Sequence, residues 1–374
     1  MKEGQLLPEQ IAHQEVANSL NEWYGAILKR DKWTATQLRK EIEDSLPYMT
    51  KNQNILLYFN LIESRHKLLM EEYDDSGKIL GNIETIKALE QVTDEVIQYY
   101  YYFFSGVYEF YQKKYIQAIR FYRQAEAIID KIPDEIEVAE FHYQLAMAYY
   151  RIDQHFFSIN HAEQALQLFK CQQGYVEKEI YCEMIIGANK LDMRNYTECE
   201  KHYQNALRKS IQAGFTFSES LAYFNLGLCY GRQHLYPTSA EYFKMALSIH
   251  EHKSSTVGMK SMFELAHVLY KDEKFEEAQE WHKKGLYEAE KGGEEEYKAK
   301  FIFIDGLYNT KDALSMELAL DHLEDQKLWT DVAELTLDAA FHHKKKGDTL
   351  LSSHYFEKAH YARDQIIRLM EGLN

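Results

Sequence analysis

The stretch Tyr223–Ala246, YFNLGLCYGRQHLYPTSAEYFKMA, reads as two short amphipathic helices joined by a tight turn. Small residues sit where the helices must touch, Gly227 in the first and Ser239 and Ala246 in the second. Tyr223, Leu226, Tyr230 and Phe243 fill the space between them. This is the pattern of a tetratricopeptide repeat, a helix–turn–helix unit that cannot bury its apolar face alone. With Gly227 as landmark, a small residue recurs at Gly106, Ala146, Gly187, Ala266, Gly306 and Ala340; successive landmarks are 40, 41, 40, 39, 40 and 34 residues apart. Twelve positions after most landmarks stands a second small residue: Ala118, Ser158, Cys199, Ser239, Ala278 and Ser352. Alanine or glycine closes the motif at Ala125, Ala165, Ala206, Ala246, Gly285 and Ala359. Leu318 breaks the rule, so the sixth of the seven copies is expected to be degenerate. A period near 40, against the usual period of about 34, predicts longer helices or longer connections.

Composition agrees with an all-helical chain. Among 374 residues there are 4 Pro and 17 Gly, and the aromatic content is 14% with 29 Tyr, which suits wide gaps between stacked helices. The net charge of −16 argues against nucleic-acid binding through a basic face. The four cysteines, Cys171, Cys182, Cys199 and Cys229, form no CxxC pair and match no zinc spacing; Cys199 and Cys229 read as small core residues of repeat helices. The first residues, MKEGQLLPEQ, lack a secretory apolar core, and no apolar run is long enough to span a membrane, so a cytoplasmic location is expected.

Ahead of the repeats, residues 1–9 form a polar lead-in and three helices follow. Val16, Leu20, Trp23 and Ile27 share one face of the first. Asp31 is the expected cap of the second, whose buried side carries Ala35, Leu38, Ile42 and Met49, with Pro47 ending or bending it. Ile55, Phe59, Ile62, His66 and Leu69 mark the third. Residues 1–72 are therefore expected to form a three-helix bundle. Residues 73–98 should be a linker, with its hinge in DDSGKILGN (74–82) and a short helix over 83–97. Residues 99–374 should form the repeat domain, coiled as a right-handed superhelix.

Nucleophile elbows, phosphate loops and zinc-protease motifs are absent from the sequence. His250 with His252, and His342 with His343, lie near helix C-termini, where a cation complements the dipole. Two constellations remain. At Thr50-Lys51-Asn52-Gln53, one reading is a capping box, with Thr50 as N-cap and Gln53 reaching back. The other is a protruding amide that orients a water for attack on a phosphoryl group held by another protein. Asn189, Asp192 and Asn225 lie in first helices of successive repeats. They read either as hydrated surface or as a peptide site, since an Asn amide both donates to and accepts from a peptide backbone.

The runs Asn21-Glu22-Trp23-Tyr24, Leu56-Leu57-Tyr58-Phe59, Phe103-Phe104-Ser105-Gly106-Val107-Tyr108-Glu109, Ala139-Glu140-Phe141 through Phe157-Ser158, and Asn225-Leu226-Gly227-Leu228-Cys229 resemble, in order and spacing, the Rap proteins of bacilli. That family comprises response regulator aspartate phosphatases and related antagonists controlled by secreted Phr peptides. The resemblance implies a bundle that grips a response regulator, with Lys51, Asn52 and Leu56 at the contact and Gln53 as the catalytic amide. It implies no cofactor of the chain's own, since Mg²⁺ would sit on the regulator. A Phr-type pentapeptide or hexapeptide would be held by Asn189, Asp192 and Asn225 and would favour a closed form; a homodimer is left open. Two positions depart from the common pattern: Thr50-Lys51-Asn52 stands where Glu-Glu-Asp is usual, and Ser64 stands where an aromatic is usual. They keep open a non-catalytic member that sequesters a DNA-binding regulator or a mobile-element repressor. A peptide-controlled transcription factor and a plain repeat scaffold are the remaining readings.

Overall fold

The computed structural model describes residues 12–85 and 94–371. The lead-in at residues 1–9 and the middle of the helix expected over 83–97 lie outside the described residues. The regular elements are helices, and the chain separates into two compact units that divide within the helix Val176–Asp192, between Ile185 and Ile186.

In the first unit the helices His13–Leu28, Lys32–Ser45 and Gln53–Leu69 stand where the apolar spacing puts them. Val16, Leu20, Trp23 and Ile27 are buried together. Asp31 caps the second helix by accepting from the Thr34 backbone N–H at 3.0 Å, and Pro47 opens the 3₁₀ turn Leu46–Tyr48 that follows it. Residues 74–82 differ from expectation. They lie in a helix, Tyr73–Thr85, whose Leu80 and Ile83 are buried. Gly77 serves close packing here rather than a turn, for a Cβ on it would stand 2.4 Å from the Tyr108 hydroxyl. Nor does packing lapse beyond residue 72: one apolar core runs from Val16 to Tyr149. Tyr24 packs on Tyr100 and Phe104, at centroid separations of 5.9 and 5.4 Å, and Tyr58 lies 5.0 Å from Tyr100. The polar letters of DDSGKILGN hid an apolar face made by residues spaced three apart.

The second unit repeats one hairpin. Thr216–Arg232 pairs with Tyr236–Ser248, Thr256–Lys271 with Phe275–Gly292, and Trp329–Lys345 with Thr349–Glu371. The landmark positions have a steric cause, since a Cβ on Gly227 would lie 2.6 Å from the Phe243 ring. The small residue twelve positions on has a polar one: Ser239 Oγ donates to the Gly227 carbonyl at 2.7 Å, and in the first unit Ser158 Oγ donates to that of Ala146 at 2.8 Å. Seven residues after each of these landmarks the chain turns through a left-handed residue, Asp153, His234, Glu273 or Gly347. The degenerate copy departs here as well. Gly306–Thr310 winds as a π-helical turn, the left-handed residue comes early at Lys311, and Leu318 is exposed.

Candidate functional site

The helix Gln53–Leu69 begins differently from a capping box. Asn52 is its N-cap: the backbone is extended there, and its side-chain oxygen accepts from the N–H groups of Asn54 at 3.0 Å and Ile55 at 3.2 Å. Asparagine suits this place because its short amide reaches the first free N–H groups. Thr50 is not the cap, and its hydroxyl is buried without a hydrogen bond among the described residues. Gln53 is the first helical residue; its side chain is exposed and makes no hydrogen bond among the described residues. Lys51 and Leu56 are exposed beside it, and Leu56, three residues on, shares its face. A free amide, a lysine and the positive end of a helix thus converge on one surface, an arrangement suited to an anionic phosphoryl group.

The next turns of this helix face inward. Glu63, Ser64, Arg65 and His66 are all buried. Arg39 Nε donates to Glu63 at 2.6 Å, Trp23 Nε1 donates to His66 Nδ1 at 3.2 Å, and Ser64 Oγ donates to the Leu61 carbonyl. Ser64, which stands where an aromatic is usual, is part of the core in this arrangement. Arg65 approaches Glu140 at 3.8 Å, and Glu140 also accepts from Lys178 at 2.7 Å and Gln144 at 2.8 Å. Burial would raise the Glu140 carboxyl, but Lys178 and Arg65 outweigh it and hold the group below its ordinary value. One turn earlier, Glu137 accepts from the Tyr99 hydroxyl at 3.1 Å and has no full counter-charge; burial pushes it up to about 8.

The second constellation is split. Asn189 is fully buried and engaged within the protein, Asp192 is exposed, and Asn225 is half-buried with no hydrogen bond among the described residues. Residues three apart sit about 60° apart around a helix, enough to turn Asn189 into the packing while Asp192 faces solvent. Asn189 thus lies among packed side chains while Asp192 lies on the surface.

Two of the histidines near helix ends, His252 and His342, are not cations there. His252 is buried between Ser220 Oγ at 3.0 Å and Ser261 Oγ at 2.7 Å, and burial drives it down to about 4. His342 falls to about 4, first by burial and then by Lys346. Both are neutral at pH 7, so packing and hydrogen bonding replace the expected dipole contact. Cys199 and Cys229 are buried, as small core residues should be. Among the described residues no helix is long and apolar enough to cross a membrane.

Known proteins carry the same layout. A family model described as response regulator aspartate phosphatase H, N terminal, matches residues 10–71, the segment that holds Gln53. Response regulator aspartate phosphatase I of Bacillus subtilis (strain 168) is 30% identical over 364 residues, covering 96% of this chain and 93% of the relative. The crystal structure of the apo form of RapI matches with a TM-score of 0.81 at 30% identity, over 95% of this chain and 99% of that one. A Rap protein complexed with competence and sporulation factor matches with a TM-score of 0.80 at 31% identity, over the same shares of the two chains. Identity of this order along nearly the whole length, on the same helical frame, means that the chain belongs to the Rap family of response regulator aspartate phosphatases.

Proposed function

We propose that this protein binds a response regulator and hydrolyses its aspartyl phosphate, under the control of a short secreted Phr-type peptide. The regulator docks on the surface formed by Lys51, Asn52, Gln53 and Leu56, so residues 1–72 are the gripping part and residues 99–374 the peptide-binding part. An amide is no general base, so Gln53 acts by holding the attacking water in line with the phosphorus, while the regulator supplies the aspartyl phosphate and Mg²⁺. The observation that carries this reading is the division of labour at the helix start: Asn52 does the capping and leaves the Gln53 amide exposed and uncommitted. Asp192 and Asn225 are the peptide contacts, the second offering both a donor and an acceptor to a backbone. The setting is cytoplasmic.

A second reading keeps the grip and drops the hydrolysis, and it is favoured by Thr50-Lys51-Asn52 and by the buried Ser64 at the two variant positions. A time course of phosphate loss from a panel of phosphorylated receiver domains separates the two. Catalysis shortens the lifetime of at least one phosphoaspartate at substoichiometric protein. Sequestration leaves every lifetime unchanged while a complex forms.

A further inference from the structure

Two positions of the repeat carry cysteine in one copy each, and the two copies are neighbours in the chain. Cys199 stands twelve residues after the landmark Gly187, where the other copies place Ala, Ser or, in the degenerate copy, Leu. Cys229 stands two residues after Gly227, where no other copy has cysteine. The helices that hold them, Tyr196–Ala213 and Thr216–Arg232, pack on each other inside the second unit. The next junction shows that these two positions meet. There a Cβ on Gly231 would lie 3.2 Å from Ser239 Oγ and 3.7 Å from Val268 Cγ1, the equivalents of Cys199 and Cys229 one hairpin further on. At the cysteine junction the sulfurs themselves touch, with the Cys199 thiol donating to Cys229. Cys229 Sγ also accepts from Gln233 Nε2 at 3.5 Å and lies 3.9 Å from the Tyr196 carbonyl oxygen, one turn from Cys199. The remaining cysteines stand on other segments, Cys171 exposed and Cys182 buried.

The thiolate, not the thiol, reacts with oxidants, and it forms where donors converge on a sulfur. Here Cys199 and Gln233 both donate to Cys229 and hold it below its ordinary value, while the same contact keeps the proton on Cys199. Burial pushes the Cys182 thiol up and leaves it inert. We propose that Cys199 and Cys229 are a redox modification site, closing to a disulfide when the protein meets a hydroperoxide and reopening with a dithiol. The Cys229 thiolate attacks one peroxide oxygen and the O–O bond breaks. The departing hydroxide takes up the proton that Cys229 had released, and Cys229 becomes a sulfenic acid. The Cys199 sulfur then attacks the Cys229 sulfur. The S–O bond breaks, and the hydroxyl leaves as water with the Cys199 proton. Two thiols lose two electrons in all, and one peroxide is reduced to two waters. The new bond, about 2.0 Å long, ties two consecutive hairpins together one turn beyond Asn225 on the same helix. The inference does not depend on the peptide reading.

The test treats the reduced, folded full chain with hydrogen peroxide and maps its peptides by mass spectrometry without reduction. The wild type should yield one cross-linked species joining the Cys199 and Cys229 peptides, lighter by two hydrogens and lost on treatment with dithiothreitol. This map needs no variant and so does not depend on one folding. Cys199→Ser should abolish the link and leave a sulfenic acid on Cys229, trapped by dimedone. Cys229→Ser should abolish the link and leave Cys199 unlabelled. Hydrogen exchange across residues 196–232 should be slower in the oxidised wild type than in the reduced one, since the bond joins helices already packed together. The inference is overturned if peroxide modifies Cys171 while no link between Cys199 and Cys229 forms. It is overturned equally if dimedone labels Cys199 in Cys229→Ser as fast as Cys229 in Cys199→Ser. Faster exchange in the oxidised protein would also overturn it, because the link would then come from an opened chain.

Discussion

Glu137 makes a quantitative case for the interior of the first unit. The carboxyl is fully buried, accepts from Tyr99, and holds its proton up to about pH 8, against an ordinary 4.5 for an exposed glutamate. Between these values the folded protein carries a proton that the unfolded chain has released. The folded pKa lies above the unfolded one for an acid, so stability is highest below pH 4.5, falls as pH rises, and levels off above pH 8. Each unit of pH inside the window costs about 1.4 kcal/mol, which places the loss at pH 7 near 3 kcal/mol. Glu137→Gln keeps the shape and abolishes the titration. The stability of the variant minus that of the wild type should therefore grow by about 3 kcal/mol between pH 5 and pH 7. Urea unfolding of the two proteins at matched pH, read by hydrogen exchange of peptides within residues 135–150, isolates this unit and cancels groups that both proteins share. A difference that stays flat from pH 5 to pH 8 would refute the reasoning. It would mean that Glu137 is ionised in the folded state and compensated by Arg65.

Other substitutions probe other links in the argument. Asn52→Ala should destabilise the helix Gln53–Leu69 by about 1 kcal/mol while Gln53→Ala leaves thermal stability unchanged, as melting followed by circular dichroism will show; the opposite pattern would restore the capping box. Glu140→Ala leaves the buried Arg65 and the partly buried Lys178 without their carboxylate and should cost about 3–5 kcal/mol in urea unfolding of the first unit, whereas removal of the Glu198 carboxylate, paired on the surface with Lys201, should leave the unfolding curve nearly unchanged. Gly227→Ala drives a methyl group into the Phe243 ring and should cost about 1–3 kcal/mol, with the loss visible as faster exchange in residues 216–248.

Much of this was legible in the letters because repeats are redundant. The landmark at Gly227 follows from a steric requirement that each hairpin must meet again, and the serine twelve positions on adds a polar contact that the hairpin at Ala146 shares. The sixth copy showed its irregularity as Leu318, although the letters could not say that the chain would answer with a π-helical turn. Sequence reading failed where meaning depends on a distant partner. Asp74, Asp75 and Ser76 looked like a linker because the apolar surface that accepts Leu80 and Ile83 comes from other parts of the chain. Asn189 and Asp192 looked alike because spacing alone does not say which side of a helix the neighbours cover. Thr50 and Asn52 are both good capping residues, and only the backbone at Asn52 decides between them.

The central claim is that Gln53 performs hydrolysis without being needed for the grip. The direct measurement takes the receiver domain whose phosphate the wild type removes and follows its single-turnover dephosphorylation with Gln53→Ala, alongside calorimetric binding of the same pair. Hydrolysis should return to the receiver's own rate with affinity kept within about twofold of wild type. Unchanged hydrolysis, or hydrolysis and binding lost together, would contradict the account.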